Sequence, residues 1–360
     1  MSYAIRTIFN GSIVMIFKHK INFVIPEDKV WPEIVAGTDD TLTEDDKADR
    51  SVSSLDNFVI VPYLHFKQMG AEVERSPDVR PGYINIANAR NISVRRRNPF
   101  AFLVVTRGDA FFPEVADFVI EHNDCRQKTD RAIYLPHPPL PGLIPRDTTR
   151  TEPRTIVYKG IRRNFDPMFL TDSFAADLAR LGFELRIDDF QGMADGHGTA
   201  VHDFSDGDIA LAVRNITVDD AEGKPANKLV NAWRAGTPAL LGPEPAYQEL
   251  RRSELDYFEV STAEDVIASL SALREKPELY AAMVENGHER AVDFMPDAIY
   301  GKWIEGINGP ITARFEAWSR ESALSKLLFA GRAALQGKRS FDTYLASVRD
   351  GPRILDVSRA

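Results

Sequence analysis

Six prolines between positions 136 and 153 (Pro136, Pro138, Pro139, Pro141, Pro145 and Pro153) divide this chain more sharply than any other feature. Proline fixes φ, carries no N–H and restricts the residue before it, so so many together leave little room for helix or sheet interior. The segment reads as an extended linker between two folded parts. With 360 residues there is enough chain for a domain on each side, and 44% apolar residues supply a core for both.

Before the linker, short runs rich in Val, Ile and aromatics occur at residues 21–25, 58–63, 83–87, 101–106 and 132–135. Runs of this length and composition suit strands buried on both faces of a parallel sheet. Residues 113–122 read as a helix opened by Pro113, and the acidic stretch 39–54 as a solvated loop. After the linker the pattern restarts, with strands at 155–158, 183–187, 208–213, 239–241 and 259–260. Helices are predicted at 167–181, 225–235, 263–274, 277–294 and 297–307. Such alternation with short connections predicts an α/β chain of two Rossmann-like, doubly wound domains. The domains are placed at 1–145 and 154–296, with C-terminal helices at 297–360 returning to the first.

A net charge of −9 argues against a general nucleic-acid binder, which presents a basic excess to phosphates. No run approaches the ~20 apolar residues of a membrane span, and residues 12–17 are too short for a secretory signal. With the single Cys125, these features point to a cytoplasmic protein without an internal disulfide. Two basic clusters stand out, residues 95–97 and a tail with Lys326, Arg332, Lys338 and Arg339. An amphipathic basic helix over 323–335 either lies on an anionic membrane surface or docks on its own protein.

Residues 224–238 carry the most chemistry. Pro225 suits a first helical turn, Gly236 the left-handed position past a helix end, and Pro238 bars continuation. The helix follows a predicted strand, so its N-terminus lies where ligands bind in doubly wound sheets and offers unpaired N–H groups to phosphate. Lys224 and Lys228 add formal charge there, or are simply solvated lysines. The run from Lys224 to Pro238, its turn Ala235-Gly236-Thr237-Pro238 and the following Gly242-Pro243-Glu244 resemble the donor-binding element of GT-B glycosyltransferases. The segment from Val157 to Arg163 resembles the opening of that family's C-terminal domain.

The resemblance implies two α/β domains facing a cleft and transfer of a sugar from a nucleotide-diphosphate donor to a hydroxyl on a glycan, lipid-linked or small-molecule acceptor. It implies donor contacts from Lys159, Gly160, Arg162, Arg163, Arg214, Lys224, Asn227, Lys228 and Asn231, with Glu244 toward the ribose or an ordinary loop carboxylate. No metal cofactor is expected. Many retaining members carry two glutamates near positions 223–224 and 231; this chain has Gly223, Lys224 and Asn231, which leaves inverting chemistry or a divergent subgroup open. A nucleotide-sugar 2-epimerase and a non-enzymatic sugar- or nucleotide-binding module are the alternatives.

An inverting transfer needs a base at the acceptor hydroxyl. Asp109, after the run 101–106, is the first candidate and otherwise a helix cap; His65 is the second and otherwise a packed histidine. Glu27 and Asp28 complete the set, and His137 reads as structural. His197 and His202, with Asp195 and Asp203, have the residue types of a metal site, but the intervening Gly196 and Gly198 favour a loop.

Overall fold

The computed structural model describes residues 6–9, 12–15, 17–26, 31–51, 53–124, 129–189 and 201–358. The chain divides into two compact units. The first comprises Met1–Thr43, Ser53–Pro138 and Pro296–Ala346; the second comprises Glu44–Val52, Pro139–Met295 and Ser347–Ala360.

In the first unit a two-stranded antiparallel ribbon, β1 (Arg6–Phe9) with β2 (Ser12–Met15), precedes a parallel sheet. That sheet holds β3 (Ile21–Val24), β4 (Val73–Ser76), β5 (Ile84–Asn88), β6 (Phe102–Thr106), β7 (Phe118–Glu121) and β8 (Ala132–Tyr134). Its spatial order is β4-β3-β5-β6-β7-β8. Every residue of β3, β5, β6 and β7 is buried, which is why these strands read as unbroken apolar runs rather than alternating ones.

The second unit carries a parallel sheet of β9 (Thr155–Gly160), β10 (Glu184–Asp189), β11 (Ile209–Ala212), β12 (Ala239–Leu241) and β13 (Phe258–Glu259), in the order β10-β9-β11-β12-β13. Its core joins Ile156, Tyr158, Leu211 and Leu240 to Trp233, Leu229, Leu270 and Met283 from the helices. Ile354 and Leu355, near the end of the chain, complete that core. The backbone there is tied down by Val218 N–H donating to Pro352 O (3.0 Å) and Ile354 N–H to Ile216 O (3.0 Å). Both sheets are doubly wound, as predicted. In each, the chain steps first to one side of its starting strand and then to the other, so a switch point lies between β3 and β5 and another between β9 and β11.

Residues 136–153 hold no helix or named strand. They are anchored by charge instead. Asp208, fully buried, accepts from Arg146 Nε (3.0 Å), Arg150 Nη2 (2.7 Å) and the Arg154 and Thr155 N–H groups.

Four local expectations are corrected. Residues 58–63 are helical, within a continuous run made of Asp56–Ile60 and Val61–Gln68. The start signal is a reciprocal cap, with Ser53 N–H on Asp56 Oδ2 (2.7 Å) and Asp56 N–H on Ser53 Oγ (3.2 Å). Residues 113–122 contain β7 rather than a helix: Asp117 accepts from Leu103 N–H (2.8 Å) and pairs with the buried Arg97, which leaves Phe118–Glu121 to insert between β6 and β8. The acidic stretch 39–54 is no simple loop, since Glu44–Arg50 forms a helix with acidic residues in its first turn and basic ones in its last. Ala48 on that helix is buried, and Gly142 (φ 57°) crosses so close that a β-carbon on it would lie 2.7 Å from Ala48 Cβ. Finally, the helix over 167–181 is a separate turn, Pro167–Leu170, followed by the helix Asp172–Arg180 with Thr171 as its N-cap.

The helices Pro296–Gly306 and Thr312–Ser319 lie in the first unit, where Trp303 Nε1 donates to Pro136 O (3.1 Å). The predicted tail helix extends well past residue 335, as Ala323–Asp350.

Candidate functional site

At the switch point of the second sheet, β9 ends in Lys159 and Gly160, and β11 leads into Val213 and Arg214. A short helix, Val218–Glu222, unforeseen from the sequence, comes next with Thr217 as its cap. The helix Asn227–Ala235 follows; Ala226 at its N-cap has no side-chain acceptor, so the first-turn N–H groups receive no cap from it. Gly236 ends this helix at φ 69°, in the left-handed role predicted for it.

Lys228 is the residue this geometry singles out. The residue as a whole is half-buried, and its charged end lies over the end of β9, where burial is the largest influence on it. There Nζ donates to Lys159 O and lies 5.1 Å from the centre of the Tyr158 ring. A β-carbon on Gly160 would stand 2.8 Å from Nζ, so the glycine is what lets the ammonium approach. Burial first, and then the nearby Arg214 charge, lower the Lys228 pKa to about 7, with Glu244 opposing both. The result is a cation poised to take or release a proton near neutrality. An anion at this point would restore its charge.

Arg214 and Glu244 form a fork-to-fork pair below it. Arg214 Nε donates to Glu244 Oε1 (2.7 Å), Nη2 donates to Oε2, and Nη2 also reaches Tyr247 Oη (3.3 Å). Their exposures are 8% and 1%, so the pair is an internal brace. Burial alone would lower the Arg214 pKa, but the facing Glu244 carboxylate outweighs it and the pKa is raised. Burial raises the Tyr158 hydroxyl to about 12, and that hydroxyl donates to Ile161 O (3.0 Å).

The other predicted donor contacts divide into two groups. Arg162 and Arg163 are exposed on the turn Arg162–Asn164, just past β9; Asn227 and Asn231 are partly exposed, one turn apart on the helix. Lys159 and Lys224 are instead engaged nearby: Lys159 pairs with Asp188 and donates to Asp203 O, and Lys224 pairs with Asp220 at 3.0 Å. Glu244 faces Arg214 with both carboxylate oxygens. The structure therefore brings Gly160, Arg214, Lys228 and Glu244 together, and sequence reasoning missed Tyr158 and Tyr247 around them.

In the first unit, Asp109 follows β6 through Gly108 (φ 59°), whose β-carbon would meet the Phe58 ring at 2.8 Å. Asp109 Oδ1 pairs with Arg90 (2.9 Å), and its carbonyl accepts from Tyr344 Oη (3.2 Å). No helix starts after it, so it is not a helix cap. His65 lies within the helix Val61–Gln68 rather than at a strand end, stacked 3.7 Å from the ring of Tyr300. His137 packs edge-on against Phe58, and burial lowers its pKa to about 4. His122 was missed: it directly follows β7, stacks on Phe58 (4.3 Å) and engages Leu135 O through Nδ1 (2.9 Å). Recognising Phe118–Glu121 as a strand would have exposed it.

Glu27, Asp28, Asp195 and His197 lie outside the described residues. Asp203 Oδ1 accepts from Ser205 N–H (2.8 Å), and the His202 carbonyl from Ile144 N–H (2.9 Å). Among the described residues, no three His, Cys, Asp or Glu side chains are grouped to hold a metal.

No protein-family model matches the sequence, and no curated protein matches it. Solved structures similar to the chain include the sucrose-phosphate synthase of Thermosynechococcus elongatus, with a TM-score of 0.48 and 12% identity over 85% of this chain and 100% of that one. Anabaena HepE, in complex with UDP and glucose, has a TM-score of 0.44 and 11% identity over 83% of this chain and 100% of its own. TarM has a TM-score of 0.45 and 10% identity over 70% of this chain, which spans 58% of TarM.

Proposed function

We propose that this protein is a glycosyltransferase of the GT-B type, moving a sugar from a nucleotide-diphosphate donor to a hydroxyl acceptor. The observation that carries this reading is the enclosed Lys228 ammonium over Gly160, at the carboxyl end of β9 beside the switch point. A donor diphosphate in that place meets a compact cation in a partly desolvated setting, where charge stabilises a leaving phosphate most. Arg162 and Arg163, exposed on the adjacent turn, supply the forked contacts that suit phosphate oxygens. The Arg214–Glu244 brace holds the floor below, its two charges cancelling locally.

Asp109 is the proposed base for the acceptor hydroxyl, with Arg90 holding its carboxylate in place. His65, stacked on Tyr300, is the second candidate.

Thermal unfolding with UDP, GDP, ADP, dTDP and CMP tests the donor assignment, because a ligand that binds only the folded state raises the melting temperature by mass action. At least one nucleoside diphosphate should stabilise the protein, and do so less in Lys228→Ala. If none shifts the transition, the donor reading fails. Incubation with the matching nucleotide sugar alone then separates transfer from epimerisation, since an epimer formed without acceptor would defeat the transferase reading.

A further inference from the structure

The helix Ala323–Asp350 is amphipathic in an inverted sense. One side docks on the first unit: Phe329 meets the Arg131 guanidinium (5.4 Å), Ser340 Oγ donates to Glu114 Oε1 (3.1 Å), and Phe341 packs on Phe111 (5.0 Å). Ala333, on that side, is buried. The opposite side presents apolar rather than polar residues. Leu324, Leu327, Leu328 and Leu335 are 66%, 49%, 49% and 75% exposed. Positions 324, 328, 331 and 335 recur at the spacing of a single helical face, and Gly331 leaves room between the leucines.

Over residues 323–339 the charges around this face are of one sign, and the exposed Asp342 follows on the same face one turn later. At 3.6 residues per turn, Arg332 and Arg339 fall on one flank of the leucines and Lys338 on the other, and all three are exposed. Residues 323–339 hold these three and Lys326, with no Asp or Glu, in a chain whose net charge is −9. Lys326 lies over the Trp318 ring (3.9 Å), at the edge where the helix meets its own unit. A surface helix normally buries its apolar side. Here the leucines point outward, framed by cations on both flanks.

We propose that residues 323–339 dock this protein on an anionic lipid surface. The leucines enter the boundary between headgroups and acyl chains, while Arg332, Lys338 and Arg339 reach the lipid phosphates. The charge pattern favours this occupant over a second copy of the chain. Two such faces brought together would oppose three exposed cations from each copy, Arg332, Lys338 and Arg339, with only Asp342 on the same face to pair them. The inference stands apart from the donor site and does not depend on it.

Co-sedimentation of the full chain with phosphatidylcholine vesicles, with and without phosphatidylglycerol, tests the proposal. Binding is expected to the anionic vesicles only and to weaken as salt is raised. The triple variant Leu324→Glu/Leu328→Glu/Leu335→Glu should lose it while keeping the wild-type circular dichroism and melting temperature. Charge reversal in Lys338→Glu/Arg339→Glu should weaken binding by roughly tenfold or more, and carries the test alone if the triple variant unfolds. Absence of binding to anionic vesicles, equal binding to neutral ones, or undiminished binding by the folded variants would each overturn the proposal. So would a solution dimer that the same leucine substitutions dissociate.

Discussion

Replacing Lys228 with methionine, which keeps a long apolar side chain but removes the ammonium, should produce two opposite effects. The Lys228 pKa falls from 10.5 to about 7 in the folded chain, chiefly through burial. At ~1.4 kcal/mol per unit, that gap bounds the cost of keeping this cation in the fold at about 5 kcal/mol. The cost is fully present below pH 7, shrinks as pH rises from about 7 to 10.5 because the unfolded chain then binds the extra proton, and vanishes above. Methionine loses the hydrogen bond to Lys159 O and the contact with Tyr158, so the net gain is smaller. We expect Lys228→Met to stabilise the ligand-free protein at pH 6 by about 1–3 kcal/mol, with the gain declining toward pH 10. The same variant should bind a nucleoside diphosphate ~10- to 100-fold more weakly, the value of one hydrogen bond to a charged group. Wild-type affinity should itself fall as pH rises above about 7, where the free lysine gives up its proton. Urea denaturation at several pH values and titration calorimetry measure both sides. A variant less stable than wild type at pH 6, with unchanged affinity and a flat pH profile, would refute the assignment of Lys228 as a strained phosphate contact.

Gly160→Ala should lower the melting temperature only modestly, because its β-carbon meets the movable end of Lys228 at 2.8 Å and the buried Tyr158 hydroxyl at 3.0 Å. It should nonetheless weaken nucleotide binding by displacing that ammonium, which calorimetry on the variant would show. Asp208→Asn should destabilise the second unit by ~2–4 kcal/mol, since Arg146 and Arg150 lose their shared carboxylate. Burial raises the Asp208 pKa, but hydrogen bonds from Arg150 and two backbone N–H groups hold it at about 2 against an ordinary 3.8, so its stabilisation is complete above 3.8 and is lost as pH falls toward 2. Acid denaturation compared between wild type and variant would detect it.

The second sheet was legible almost strand by strand because glycines at positive φ, Gly182 and Gly236, end the helices that precede β10 and β12 and so mark where those strands begin. The first sheet misled at two places for related reasons. Residues 58–63 are as apolar as a strand because that helix is buried nearly all round, and periodicity cannot separate the two for so short a run. Phe118–Glu121 lies behind Pro113, an apparent helix start, and only the long-range pair between Arg97 and Asp117 shows where the chain turns instead. At the site, Lys228 followed from the local helix-start pattern and Gly160 from the family resemblance, whereas the enclosed pairing of Arg214 with Glu244 depends on two loops thirty residues apart. No local rule supplies that pairing. The spacing of charges in the tail was visible too, but which side of the helix faces solvent is set by Glu114, Phe111 and Arg131, far away in sequence.

The closing segment of the chain has a kinetic consequence. Ile354 and Leu355 sit in the core of the second unit, and Pro352 and Ile354 are hydrogen-bonded to the loop around Ile216 and Val218, although the first unit claims the chain from Pro296 to Ala346. During synthesis the second sheet can be fully translated while its core still lacks these two side chains, and closing that loop requires the first unit's helices to be made in between. A nascent chain halted after Ala346 would thus carry most of the tail helix and an unfinished second core. Residues 352–355 act as a late clasp, and their loss would show as a slower, less cooperative refolding of a unit that lies mostly a hundred residues upstream.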